Sequence, residues 1–366
     1  MERNSYDNEG YSALDVPTTA ALQYMRDTAA SAARRAAATR AQIEISPNAA
    51  RILLVVDAGC DMPSNWLAKH NVAVVPVDVA RDAEQVRDHG DELDRMQFAD
   101  RLDAPKKERP TLLEISPARP VQIRDYVQTW MTPTIDFVVQ ITFSATRSSV
   151  YLSSLAASQS LMLIHNKVRR SLGSKGPLKA WVIDSFTGLA GIGVLLAHAV
   201  RLRDSGMPAG DIATVLEDFR KQVRTLIVPD DIGYLFRALN AKNARGEGMS
   251  RWKYWWAKLL DQRPVLIAER GSGGMLTRVK SFDGACERAL SIAARHVALG
   301  LSTPTVCLSV AGDGEALRAL PGFGLLNTEC KHHRIELLLT PMSMMGCVKL
   351  GPRAISIAFA SERFHG

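Results

Sequence analysis

From Arg51 onward, short aliphatic runs alternate with amphipathic or small-residue stretches. Ile52–Val56 is a continuous aliphatic run that ends in Asp57-Ala58-Gly59-Cys60-Asp61. Met62-Pro63-Ser64 opens a helix, with proline at an early position where its missing N–H costs little. Val72–Val79 reads as the next strand, Asp82–Leu102 as a charged and mostly helical stretch, Pro105–Pro110 and Thr111–Pro120 as loops, and Val121–Trp130 as a helix. Phe137–Phe143 is apolar and rich in β-branched residues, which suits a buried parallel strand. A helix from about Val150 to Leu172, a turn at Gly173–Pro177, a strand at Ala180–Asp184 and helices at Gly191–Asp204 and Pro208–Val223 follow. This rhythm predicts a doubly wound, mostly parallel sheet with helices on both faces.

The second half changes character. Leu226–Val228, Val265–Ala268 and Leu276–Lys280 read as strands, followed by a helix at Gly284–Leu299 and a strand at Thr305–Val310. A helix at Gly314–Leu320 and strands at Ile335–Thr340 and Ala354–Ala360 complete a second α/β lobe. The expected division is an N-terminal extension over 1–50, one lobe over 51–225 and another over 226–366, with a basic, tryptophan-rich helical insertion at 237–262. In the extension, Thr18–Ile43 is alanine-rich and helical by propensity. Its thin apolar stripe suits lying on the body or on a partner subunit.

Chemistry concentrates where the central strand ends. Phe137–Phe143 runs straight into Ser144, Thr146, Ser148 and Ser149 before the helix begins. A buried strand, a hydroxyl-rich turn and a helix N-terminus make a cradle for anions, because the first N–H groups of a helix lack partners and carry partial positive charge. The alternative is that Ser148 or Ser149 simply caps the helix. An enzyme reading finds Asp57, Asp61 and Asp184-Ser185 at strand ends, where catalytic groups often sit. It lacks a GxSxG turn, and no histidine lies near either serine loop in sequence. Asp184 and Ser185 are expected to cap the following helix, His165, His198 and His296 to serve core or surface roles, and Gly271–Gly274 to form a hairpin turn rather than a phosphate loop.

The chain of 366 residues carries a net charge of +7. Arg237–Lys280 holds ten Lys/Arg against three Asp/Glu, an excess equal to that of the whole chain. Within it, Trp252, Trp255 and Trp256 recur at helical spacing beside Arg251, Lys253 and Lys258, a face suited to an anionic membrane interface or to packing inward as a cap. Single-stranded nucleic acid also binds basic and aromatic segments, but no RNA-binding motif is present and none is expected as a partner. The five cysteines are scattered and read as reduced thiols of a cytoplasmic protein. Cys330-Lys331-His332-His333 lacks paired ligand spacing, so no metal is expected.

The order of these signals resembles the DegV family of fatty-acid-binding proteins, over about Arg51 to Ser361. Asp57…Asp61 matches V-x-D-S-x-x-D, Val72–Val79 matches I-x-V-V-P-L-x-V, and Ile141–Tyr151 matches I-x-I-S-S-x-L-S-G-T-Y. Val182–Gly193 matches V-I-D-S-x-x-x-S-x-G-x-G, Asp231–Leu235 matches D-L-x-Y-L, Arg263–Leu266 matches K-P-I-L, and Gly351-Pro352-Arg353 with Ile355–Phe359 matches G-P-G-A-L-G-I-A-F. The resemblance implies two α/β lobes with an apolar tunnel between them that takes one acyl chain. It implies a carboxylate held by loop hydroxyls, no cofactor beyond the bound fatty acid, no catalysis, and presentation of the head group to a partner fatty-acid kinase.

The head-group loops depart from that pattern. Ser116 aligns with the last serine of T-S-Q-P-S, and Thr111 could serve only after a one-residue shift. Ser144 and Ser148 are kept, while Ala145 and Ser149 replace Ser and Gly. Lys349 stands at the family's His, and Arg353 at the last Gly of H-T-G-P-G. Two readings stay open: Lys349 and Arg353 replace lost donors for a carboxylate, or they are surface charges on a chain that has lost the kinase hand-off and binds another apolar ligand or none; a hydrolase or scaffold on the same fold is the alternative function.

Overall fold

A computed structural model describes residues 51–81, 84–104, 113–132, 134–171, 176–235, 238 and 262–366. Four parallel strands form the first sheet: β1 (Ile52–Asp57), β2 (Val72–Val75), β6 (Phe137–Thr142) and β7 (Lys179–Asp184), in the order β2-β1-β6-β7. β1 and β2 are buried along their whole length, as expected of parallel strands covered on both faces. Helices α1 (Ser64–Lys69), α3 (Pro120–Trp130), α4 (Val150–Ser171), α5 (Ala190–Asp204) and α6 (Ala209–Phe219) connect and cover them.

The second sheet is mixed, in the order β10-β9-β8-β13-β11-β12. Its strands are β8 (Val223–Val228), β9 (Arg263–Glu269), β10 (Ser272–Val279), β11 (Thr305–Val310), β12 (Glu336–Pro341) and β13 (Ile355–Ala360). β11 and β12 run parallel and the other pairs antiparallel. Helices α7 (Phe282–Leu299), α8 (Phe323–His332) and α9 (Met344–Leu350) complete this half.

Four expectations are corrected. The run 72–79 is two strands, because Pro76 has no N–H to give a ladder; β3 (Val77–Arg81) leaves the parallel sheet for a small antiparallel one with β4 (Glu84–Asp88) and β5 (Leu113–Ser116). The stretch expected to be helical from 82 therefore opens with strand β4. The helix in it, α2 (Glu92–Asp103), begins only after Asp91, whose carboxylate accepts the N–H groups of Leu93 and Asp94. The loop expected at 111–120 contains β5, and the region 314–320 is a 3-10 turn rather than an α-helix.

α5 joins the two halves. Its sequence AGIGVLLAHAV is apolar on every face, which marks a helix buried all round. It packs against β1 and β6 on one side and β8, β11 and β13 on the other. One continuous core therefore runs from Val56 and Ile141 through Leu195 to Cys307 and Ala358.

Candidate functional site

The carboxyl ends of β1, β6 and β7 converge on one place. The loop after β6, Phe143–Ser149, is braced from beneath by two carboxylates. Asp57 Oδ2 accepts the Phe143 N–H at 2.6 Å while Oδ1 accepts the Gly59 N–H at 2.8 Å. Asp184 Oδ1 accepts the N–H groups of Ala145 (3.2 Å) and Phe186 (2.9 Å). Asp184 thus holds loops together instead of capping α5, whose N-cap Leu189 makes no side-chain bond. Asp57 is fully buried, and that burial pushes its pKa up to about 6 against the pull of the Phe143 and Gly59 N–H groups.

Each predicted hydroxyl has a definite place. Ser144 is buried; its N–H donates to Thr187 O and its hydroxyl pairs with Thr146 Oγ1 at 3.0 Å. Thr146 is exposed and donates to Gly271 O at 3.0 Å. Ser148 is half-buried, and its Oγ accepts the Val150 N–H at a long 3.4 Å, while Ser149 is exposed. The β9–β10 hairpin, with Arg270 and Gly271 both at positive φ in its turn, lies over this loop through that Thr146 bond and through Gly271 N–H to Phe186 O. Gly271–Gly274 is therefore a hairpin, as expected from sequence.

Lys349, on α9, reaches the same loop. Its Nζ donates to Arg147 O at 3.3 Å and lies 5.4 Å from the centre of the Phe143 ring. Arg353 goes elsewhere: its guanidinium pairs with Asp230 and lies 4.0 Å from Asp103. Ser116 is exposed at the end of β5, a strand on which α9 packs. Thr111 and the tryptophans Trp252, Trp255 and Trp256 lie outside the described residues.

A second, buried polar cluster ties the halves together. Arg95, fully buried, donates to Asp88 (3.0 Å), Ala58 O (2.7 Å) and Cys60 O (3.4 Å). Asp88 also accepts the Met344 N–H at the start of α9. Asp61 accepts the Ser343 N–H and the Ser309 hydroxyl. Asp57 and Asp61 are thus engaged in holding loops and helices, with no histidine among the bonds they make. His198 stacks on Phe219, and His296 on Phe359 and Phe364. Among the described residues, no group of three His, Cys, Asp or Glu could hold a metal, and no helix is long and apolar enough to cross a membrane.

The seam between the sheets is filled with side chains. Phe143 lies flat against Gly188: a Cβ there would sit 3.0 Å from the ring's Cε1 and closer still to Cε2 and Cζ. Met62, Met342, Met344 and Met345 are buried in the same core as Phe143 and Leu189. A groove of about 630 Å³ opens instead along the far half of α4, lined by residues such as Met162, Leu163 and Asn166. At 1.5 Å per residue, that places it roughly 15–30 Å along the helix from the serine loop.

Comparison with known proteins places this architecture. A family model described as "Uncharacterised protein, DegV family" matches residues 51–362. A DegV domain-containing protein of Xanthomonas axonopodis pv. citri is 33% identical over 312 residues, 85% of this chain and 98% of that relative. The structure of DegV from Bacillus subtilis, described as a fatty acid binding protein, superposes with a TM-score of 0.65 at 18% identity, over 85% of this chain and 99% of that one. The fatty acid kinase B3 protein of Streptococcus pneumoniae, solved loaded with linoleic acid, gives 0.62 at 16% identity, over 84% and 99%. At such identities the two structures speak for the fold alone; the family match and the Xanthomonas relative speak for descent. The chain belongs to the DegV family.

Proposed function

We propose that this protein is a non-catalytic carrier of a fatty acid or similar single-chain lipid, with the chain in the seam between the sheets and the head group at the loop Ser144–Ser149. The observation that carries the reading is the convergence of Thr146, Ser148, Ser149, Lys349 and the start of the 22-residue helix α4 on one braced loop. A buried carboxylate needs such donors, or its desolvation cancels the gain from the chain. That gain is about 0.8 kcal/mol per methylene. Phe143 and the four methionines must move to admit a chain, and unbranched methionine side chains repack readily. Of the two cations at His and Gly positions, Lys349 is the proposed head-group donor, because its Nζ reaches the serine loop while Arg353 pairs with Asp230. Presentation to a partner kinase in the cytoplasm, and contact of the 252–256 tryptophan face with anionic membrane, belong to the same reading. Vesicle co-sedimentation of a Trp252/Trp255/Trp256 triple alanine variant tests the membrane contact, which equal partitioning with wild type would remove.

Displacement of a fluorescent fatty acid from wild type, Lys349→Ala and Arg353→Ala tests the site. Lys349→Ala is expected to weaken binding about tenfold, the loss of one charge-assisted hydrogen bond, and Arg353→Ala by less than about twofold. Equal affinities in all three would remove Lys349 from the site. The filled seam favours one other reading, a relative that has kept the fold and takes a different apolar ligand; a wild-type protein that binds no fatty acid would support it.

A further inference from the structure

The outward side of α4 is apolar where a surface helix normally turns charge to water. Leu152 is 66% exposed and Leu163 74%, with Ile164 beside the latter at 38%. Positions 152, 156, 159 and 163 share one helical line, opposite the buried Val150, Ala157 and Leu161. The groove of about 630 Å³ lies against this line, with Met162 and Leu163 in its lining together with Arg169 and Gly176. Arg51, the first described residue, stands at the same place. Its carbonyl accepts the Asp136 N–H at 3.0 Å and its Nε donates to Asp136 Oδ2 at 2.6 Å. The other oxygen of Asp136 pairs with Arg169, which also donates to Gly176 O at 3.2 Å. The point where residues 1–50 join the body is therefore bonded, through one carboxylate, to the lining of the groove.

Residues 1–50 lie outside the described ones, and their sequence matches the face. In Thr18–Ile43, the residues Leu22, Met25, Ala29, Ala32, Ala36 and Ile43 repeat at the spacing of a helix–helix seam, while Arg26, Arg34, Arg35 and Arg40 fall off it. As a helix the stretch would be about 39 Å long, against about 33 Å for the 22 residues of α4. From Ile43 to Arg51 the extended chain reaches at most about 30 Å. Alanines in the middle of the seam leave room for a protruding leucine such as Leu163. We propose that Thr18–Ile43 docks as a helix on its own chain, along the outward face of α4 over Leu152, Leu163 and the groove. A second copy of the chain is the rival occupant. The tether favours the chain's own segment, since a short linker holds it at an effective concentration in the millimolar range. The docking does not depend on which ligand the protein carries.

The test is maleimide labelling of the native full-length protein. All five native cysteines are buried, so an introduced surface thiol is read against a slow background. Leu163→Cys is expected to label more than about tenfold more slowly than Leu325→Cys, at a 50%-exposed leucine on α8. Ala29→Asp and Ala36→Asp, two changes confined to the extension, place charge on the seam. Added together, they should bring Leu163→Cys to within about threefold of Leu325→Cys and leave Leu325→Cys unchanged. A flexible bis-maleimide added to Ala32→Cys/Leu163→Cys should give a cross-linked monomer. Labelling of Leu163→Cys within about threefold of Leu325→Cys in the otherwise native chain overturns the docking, as does protection that survives both aspartates. Absence of cross-linked monomer overturns it too, and cross-linked dimers in its place assign the face to a second copy.

Discussion

Gly188→Ala is the sharpest probe of how the seam is filled. The backbone of Gly188 is outside the left-handed region, so an alanine brings no φ penalty, only a methyl. That methyl meets the Phe143 ring at 3.0 Å (Cε1), with Cε2 and Cζ closer. Non-bonded carbons need about 3.5–4.0 Å, so the ring must retreat by more than about 1 Å. It cannot do so freely: Phe143 is 3% exposed and its N–H is held by Asp57 at 2.6 Å. Overpacking of this kind costs about 1–3 kcal/mol. Phe143→Leu alone should lose about 1–2 kcal/mol through the smaller side chain. The double variant places the new methyl in the space the ring leaves, so it should be about 1–2 kcal/mol more stable than additivity gives. The assay is guanidinium denaturation of all four proteins, with equal m-values required before the free energies are compared. Additivity within about 0.5 kcal/mol would refute the claim that the ring rests on Gly188.

Two further outcomes follow from the buried charges. Asp57 has a folded pKa of about 6, above the ordinary 3.8, so the native state holds the proton more tightly; its contribution to stability is present at low pH and lost as pH rises through 6. Between pH 5 and pH 7.5 this amounts to about 1.4 kcal/mol. Asp57→Asn should therefore gain on wild type by about that amount over the same interval in denaturation at the two pH values, and a difference that stays flat would contradict it. Arg95→Met leaves Asp88 buried without its cation and two carbonyls without a donor; urea denaturation should show a loss of about 3–5 kcal/mol, and a loss below about 1 kcal/mol would mean that Asp88 does not depend on Arg95.

Much of the fold was legible because its central strands are buried on both faces. β1, β6, β11 and β13 are predominantly apolar, broken within the run only by single polar residues such as Gln140, Ser309 and Ser356, as strands covered on both faces are. β4, with the sequence EQVRD, shows no alternation, and β5, with LEIS, alternates over only four residues, too short a stretch to establish a period of two. The split at Pro76 did carry a signal, since proline is confined to strand ends and edges. α9 is buried almost throughout and only seven residues long, so it shows no amphipathic stripe.

The serine loop could be read locally, because strand, hydroxyls and helix are contiguous in sequence. Its surroundings could not. The bond from Thr146 to Gly271 spans 125 residues and that from Lys349 to Arg147 spans 202. Position 353 shows the same limit: an arginine four residues beyond Lys349 reads as a donor from sequence, and only the fold brings Asp230 and Asp103 to meet it.

Native mass spectrometry of the full-length protein purified gently from cells tests the central claim most directly. The account predicts a protein ion heavier than the chain by the mass of one single-chain lipid, an increment removed by delipidation and restored by adding lipid back. A bare chain that takes up no lipid after delipidation and reconstitution would contradict it.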